Sequence, residues 1–320
     1  MKNKGRLSPK SPLDKNMKRL RPGDLVTVRS FHEIFSTLDA SGALDDLPFL
    51  PEMLKYCGHS FKVRRPVHKL IQEGVGSSMR RIKNVVLLDG TICDGRAHDD
   101  CQRLCFPLWK IAWLKAADGK LQSVQDEAET AADTASEAKE ALLPAGTGCQ
   151  VTELMKATEP LALWHPLRHY WDLSAHTYSP KEYMAYILGR IYKKTFKRAF
   201  GKFARGKITP PIPAPPVPLG LKSGDFVEVK SAAEIWTTLN IEGKCRGLYF
   251  MPGMWDYCGR RLRVLQPIER MMSEKTGEMR VLNQTVILEG VTCDGKAHGG
   301  CQRGCYVFWK DAWLKRLEGN

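Results

Sequence analysis

No run of 18 apolar residues occurs in this 320-residue chain, which argues against a transmembrane helix. Met1-Lys2-Asn3-Lys4-Gly5-Arg6 has no apolar stretch behind it, so no secretory signal is expected. Gly-x-Gly-x-x-Gly, P-loop, His-Glu-x-x-His and Gly-x-Ser-x-Gly patterns are all missing, and with them the support for nucleotide folds and the common hydrolases. The Cys-x2-Cys of a thioredoxin-like redox pair is missing as well. Acidic groups are in the minority, 35 against 49 Lys and Arg, and the net charge of +14 favours anionic partners. Ten cysteines in a chain read as cytoplasmic point to metal ligands before disulfides.

The chain contains an internal repeat. Leu20-Arg21-Pro22-Gly23-Asp24-Leu25-Val26 returns as Leu221-Lys222-Ser223-Gly224-Asp225-Phe226-Val227, and Tyr56-Cys57-Gly58 as Tyr257-Cys258-Gly259. From Cys93 to Leu114, 14 of 22 positions are identical to Cys293 through Leu314, so one domain is present twice. The expected organisation is a basic tail (1–19), a first metal-binding repeat (20–117), an acidic linker (118–150), a helical connector (151–206), a proline-rich linker (207–220) and a second repeat (221–320). Two copies are too few for a solenoid, so each must carry its own core. Alternating Leu25, Val26 and Val28, and later Phe226, Val227 and Val229, read as strands. Phe61–Val63, Leu262–Val264, Asn84–Leu88 and Thr285–Leu288 read the same way, while Trp109–Leu114 and Trp309–Leu314 read as a closing helix. The fold class expected is α+β: two small β-rich domains of SH3-like barrel type joined by a helical connector. Ser179, Pro180 and Glu182 read as the start of a helix within that connector.

Each copy carries Cys-x4-His-x2-Cys-x3-Cys: Cys93, His98, Cys101 and Cys105, then Cys293, His298, Cys301 and Cys305. Cys57 and Cys258 complete two sets of four thiols. Cys245 aligns with Leu44 and Cys149 aligns with nothing, so both fall outside the ligand set, and loss of Cys149 is expected to be silent. Four thiolates suit either tetrahedral Zn²⁺ or an iron–sulfur cluster. Only Cys101-x3-Cys105 has the short spacing of a zinc knuckle, which tips the expectation toward iron–sulfur, with zinc close behind. Cys93-Asp94-Gly95-Arg96-Ala97-His98 resembles the Cys-Asp-Gly-x-His element of the mitoNEET-type [2Fe–2S] proteins. The resemblance covers six residues, with the His one place late and no Cys-x-Cys upstream. It implies three-Cys-one-His ligation, which makes His98 and His298 candidate ligands. Asp94 and Asp294 are expected to accept backbone N–H bonds in the turn, and Arg103 and Arg303 to offset thiolate charge or meet an acidic partner.

Two other functions remain in view. An enzyme with a site between the repeats would draw on His165, His169, His176 and Tyr178 in an aromatic, imidazole-rich stretch. A nucleic-acid or acidic-protein partner would meet the basic stretches 1–19, 62–83 and 181–208.

Overall fold

A computed structural model describes residues 17, 20–74, 78–117, 149–162, 164–189 and 218–317. All of the basic tail but Met17, nearly all of the acidic linker, most of the proline-rich linker and residues 190–206 lie outside them. The chain divides into two compact units, Met1–His176 with Ser273–Glu278, and Thr177–Met272 with Met279–Asn320. Both mix short helices with antiparallel sheets that curl into a half-barrel.

In the first unit the strands are β1 (Leu25–Val28), β2 (Ser60–Leu70), β3 (Arg80–Leu88), β4 (Trp109–Lys110) and β5 (Leu114–Ala116). They pair in the order β4-β3-β2-β1-β5. Val26 and Val28 face inward and are fully buried, as alternation requires of a strand with one wet face. The register sets Leu25 against Lys62 and Thr27 against Ser60, whose hydroxyls lie 2.8 Å apart. Helix α1 (Phe31–Phe35) follows β1. Its start is a capping box: Ser30 Oγ accepts from the Glu33 N–H at 3.4 Å and the Glu33 carboxylate accepts from the Ser30 N–H at 2.9 Å.

The closing helix expected at Trp109–Leu114 is instead a corner. Strand β4 runs into a three-residue 3₁₀ turn, Ile111–Trp113, and leaves as β5. Because β4 and β5 are the two edges of the same sheet, this turn forces the sheet to bend back toward itself. The i, i+4 spacing of Trp109 and Trp113 comes from that reversal, which sends both indoles into the core on either side of Phe49. Each buried indole N–H must find an acceptor. Trp109 Nε1 donates to Thr91 Oγ1 and Trp113 Nε1 to Thr37 Oγ1, both at 3.2 Å.

Helices α2 (Gln150–Ala157) and α3 (Arg168–Ser174) also belong to this unit. Gln150 is buried and satisfied by the first repeat: its side chain donates to Pro48 O and Leu108 O and accepts from Leu108 N. Asp172 on α3 pairs with the buried Lys69 of β2 at 2.6 Å. Residues expected to connect two domains thus pack onto one of them.

The second unit opens with helix α4, residues 180–189, where Glu182 and Ser179 form the expected box. Helix α5 (Ala232–Trp236) carries the same box through Ser231 and Glu234. Its strands are β6 (Phe226–Val229), β7 (Arg261–Pro267), β8 (Thr285–Thr292), β9 (Tyr306–Lys310) and β10 (Leu314–Arg316), paired β9-β8-β7-β6-β10. Again a 3₁₀ corner, Asp311–Trp313, joins the two edges. Trp309 and Trp313 pack around Phe250. Thr91, however, is matched by Val291, and Trp309 Nε1 is buried with no hydrogen-bond partner.

Candidate metal centre

The loop between β3 and β4 carries the repeated Cys and His residues of the first unit. Its first turn is built on Gly95, whose φ is +76°, a conformation that a side chain disfavours. The Gly95 carbonyl accepts from His98 N at 2.9 Å and Cys101 N at 3.2 Å. The Cys93 N–H donates to Cys105 O at 2.9 Å and fixes the two ends of the loop side by side. Asp94 takes the turn-forming role expected of it, accepting from Arg96 N at 3.3 Å, and also binds Lys55 Nζ at 3.0 Å.

A second wall comes from the 3₁₀ turn Pro51–Tyr56, started by a proline at its first position. Tyr56 staples it to the loop: its hydroxyl donates to Ile92 O at 3.0 Å and accepts from Ile92 N at 2.9 Å. Glu52 on this turn points inward. One carboxylate oxygen, Oε1, lies 3.8 Å from Cys93 Sγ, 3.5 Å from His98 Nε2 and 3.1 Å from the Ala97 N–H it accepts from. Among the described residues, Glu52, Cys93 and His98 form the group of three whose ligand atoms all lie within 4.8 Å of one another. All three are buried, and neither Glu52 Oε2 nor His98 Nε2 makes a hydrogen bond. Buried polar atoms left in this state are costly, so their presence asks for a further partner.

Burial pushes the Cys93 thiol well above its ordinary range, and the charges of Glu52, Cys149 and Cys101 push the same way. Cys149, set aside from sequence because nothing repeats it, is thus a neighbour of the loop. It sits at the N-cap of α2 and is 7% exposed. Burial raises it to about 11, with Cys101, Arg103 and Glu52 also acting on it. The hydrogen bonds of Gln150, one residue on, bring it there.

Cys57 stands apart. It closes the Pro51–Tyr56 turn, and its pKa is raised to about 12 by burial as the one cause. Arg103, between Cys101 and Cys105, is buried and binds Glu73 at 2.7 Å and Glu274, a residue of the first unit, at 2.6 Å. Its guanidinium is therefore engaged by carboxylates of the protein.

In the second unit Gly295, also at φ +76°, accepts from His298 N and Gly300 N at 3.0 Å. The Cys293 N–H donates to Cys305 O at 2.7 Å. Burial raises Cys293 to about 12, and Cys305 and Cys301 both add to the rise, so three of the four expected thiols share one neighbourhood. Cys258 is shifted by burial and by Asp256. Position 253, the counterpart of Glu52, is glycine. His298 Nε2 meets Met251 Sδ at 3.4 Å instead.

The remaining candidates are placed as follows. His165 stacks on Trp171 with 4.9 Å between centroids, and its Nδ1 accepts from Leu167 N. His169 lies in α3, and His176 takes a left-handed φ of 51° just beyond it. Tyr178, in the second unit, stacks on Tyr186 and donates to Lys296 O at 3.3 Å. Of the basic stretch 62–83, Lys69 binds Asp172, Lys83 binds Glu159, and Arg80 donates to Met155 O. Arg64 lies over Phe106 and Arg81 over Trp171. Of these, Lys69 and Lys83 are paired with carboxylates, the Lys83 pair being exposed. No described helix is long and apolar enough to cross a membrane.

Compared with protein-family models, with curated proteins and with solved structures, the chain matches none.

Glu52 and Cys149 escaped the sequence reading for one reason. Repetition within a chain picks out what the two copies share, and these are positions at which they differ. Nothing in the local sequence marks an inward-facing carboxylate: Glu52 has Lys55 one turn on, which instead pairs with Asp94.

Proposed function

We propose that this protein binds metal through a thiol-rich centre in each repeat, and that the first centre holds Zn²⁺. The reading takes each repeat as a small SH3-like domain with its own centre. The observation that carries it is the buried Glu52, Cys93 and His98 group with its two polar atoms lacking hydrogen bonds. A carboxylate, a thiolate and an imidazole are all donors that Zn²⁺ accepts, whereas iron–sulfur clusters are held mainly by thiolates. Cys101 and Cys149, whose charges act on Cys93, are the thiols that would complete a tetrahedral shell. The metal would contribute folding energy directly and relieve the cost of burying these polar groups.

A second reading is favoured in the other repeat alone. There Cys301 and Cys305 both act on Cys293, and His298 stands on the same loop. That donor set fits the three-Cys-one-His ligation implied by the resemblance in the sequence.

Anaerobic purification followed by metal and acid-labile sulfide analysis separates these readings. Zinc in the first repeat predicts close to one equivalent of Zn²⁺ lost in Cys93→Ala and in Glu52→Gln, with no loss of visible colour. Cobalt substitution should give d–d absorption of thiolate-bound tetrahedral Co²⁺ that Cys93→Ala removes. Metal-free protein that does not take up Zn²⁺ or Co²⁺ would overturn the proposal.

A further inference from the structure

In the first repeat three groups converge on one carboxylate. The Ala97 N–H, Cys93 Sγ and His98 Nε2 surround Glu52 Oε1 at 3.1, 3.8 and 3.5 Å. The second repeat keeps all three groups as Ala297, Cys293 and His298, yet has Gly253 in place of the glutamate. A cavity of about 250 Å³ opens at that spot, and Gly253, Cys293, Ala297 and His298 all line it. From a Cβ placed on Gly253 the nearest atom is a carboxylate oxygen of Asp294, 4.0 Å away. A first side-chain carbon at position 253 is therefore free of close contact.

What remains is a set of polar partners without their carboxylate. Gly253 offers no acceptor to the Ala297 N–H. The imidazole of His298 has the Met251 thioether, a weak acceptor, at 3.4 Å. The rest of the wall includes Met254 and Val307, both buried and apolar. The hollow is of mixed lining, with Thr292, Asp256, Asp294 and Arg260 beside these apolar side chains, and polar groups that converge on a cleft are what orient a small ligand. Deleting a buried side chain also creates a space that a free molecule of the same shape can fill, as engineered apolar cavities that take up benzene show.

We propose that the second repeat binds a small monocarboxylate, whose carboxylate takes the position that Glu52 holds in the first. Its tail lies on Met254 and Val307. The mouth carries Arg260, over the Tyr257 ring at 5.3 Å, together with the exposed carboxylates of Asp256 and Asp294. Arg260 offsets only one of the two carboxylates, so attraction to a single negative charge is weak and rests on the Ala297 N–H and His298, and a dicarboxylate, with its second charge, is disfavoured. Ala297 and His298 bind the carboxylate in the absence of metal, so the proposal does not rest on the zinc reading. A metal on Cys293 would strengthen it.

Propionate is the side chain of glutamate from Cβ outward, which makes it the natural probe, with benzoate as a longer tail and succinate as the dianion. Saturation-transfer NMR and calorimetry on the full chain should show saturable binding of propionate and benzoate, about millimolar for ligands of so few atoms, and weaker binding of succinate. Gly253 has no positive φ, so substitutions there bring no backbone strain. Gly253→Ala should retain binding. Gly253→Glu, which restores the tethered carboxylate, should weaken propionate tenfold or more while far-UV circular dichroism and melting stay intact. Equal binding by G253E, or no saturable binding to the wild type up to about 100 mM, would overturn the proposal. Repeating the titration after chelation tests the two proposals separately: propionate binding without metal supports this one even if no zinc is ever found.

Discussion

Two glycines in each repeat share nearly the same backbone conformation but not the same surroundings, and this allows a steric term to be isolated. Gly95 has φ +76° and Gly90 φ +78°. A Cβ on Gly90 would meet nothing within 4 Å. A Cβ on Gly95 would overlap the Cys101 carbonyl oxygen and lie 2.7 Å from its carbon and 2.9 Å from its nitrogen. Alanine at either site meets the left-handed penalty of about 1–2 kcal/mol, partly offset by about 0.4–1 kcal/mol from a less flexible unfolded chain. Gly90→Ala should therefore cost about 1 kcal/mol or less. Gly95→Ala must also move the Cys101 backbone by about an ångström to reach ordinary contact distance. That movement strains the bonds from His98 N and Cys101 N to the Gly95 carbonyl, each worth about 0.5–1.5 kcal/mol. The total is about 1–5 kcal/mol, and His98 and Cys101 are displaced with it. The second repeat offers the same contrast, Gly295 against Gly290, with 2.8 Å to the Cys301 carbon in one case and nothing within 4 Å in the other. Urea melts of the full chain, compared at constant m, measure these differences. If Gly95→Ala and Gly90→Ala fall within about 0.5 kcal/mol of each other, the close approach of the Cys-Asp-Gly turn to Cys101 is refuted.

Three further outcomes are expected. Val291→Thr should give the unpartnered Trp309 Nε1 the acceptor that Thr91 gives Trp109, stabilising the second unit by about 0.5–1.5 kcal/mol in thermal melts, whereas Thr91→Val should cost about 1–3 kcal/mol. Cys149→Ala should destabilise the first unit by about 1–2 kcal/mol from lost packing alone, and further when Zn²⁺ is bound; a silent substitution in thermal melts would remove Cys149 from the proposed centre. His68, stacked on Trp171, is held down to about 4 by burial and by the charge of Arg81. Its neutral form is the one the fold accepts, so its contribution is complete above about pH 6.5 and is lost as pH falls toward 4, by about 2–3 kcal/mol. Stability against pH for wild type and His68→Gln should diverge across that window, and parallel curves would show that His68 ionises freely.

Much of this protein was legible in the residues alone. The strands at Leu25–Val28 and Phe226–Val229, the Ser179 helix start and the turn role of Asp94 all depend on neighbours within a few positions, where period-two alternation and capping chemistry act. The Trp109–Leu114 segment went the other way because i, i+4 spacing arises equally from a helix and from two strands meeting at a three-residue corner. Only the pairing of those strands with opposite edges of one sheet decides between them. The centre divides along the same line. Repetition singled out Cys57, Cys93, Cys101 and Cys105 with His98 beside them, and of these Cys93 and His98 are the two that gather round Glu52. Glu52 arrives from 41 residues before Cys93 and Cys149 from 56 after it, on elements held by Tyr56 and Gln150. Distance along the chain carries no trace of such a meeting. The change from Glu52 to Gly253 was visible as one letter against another. That it turns a filled, polar pocket into an open one could be known only once both were seen to face the same thiol and imidazole.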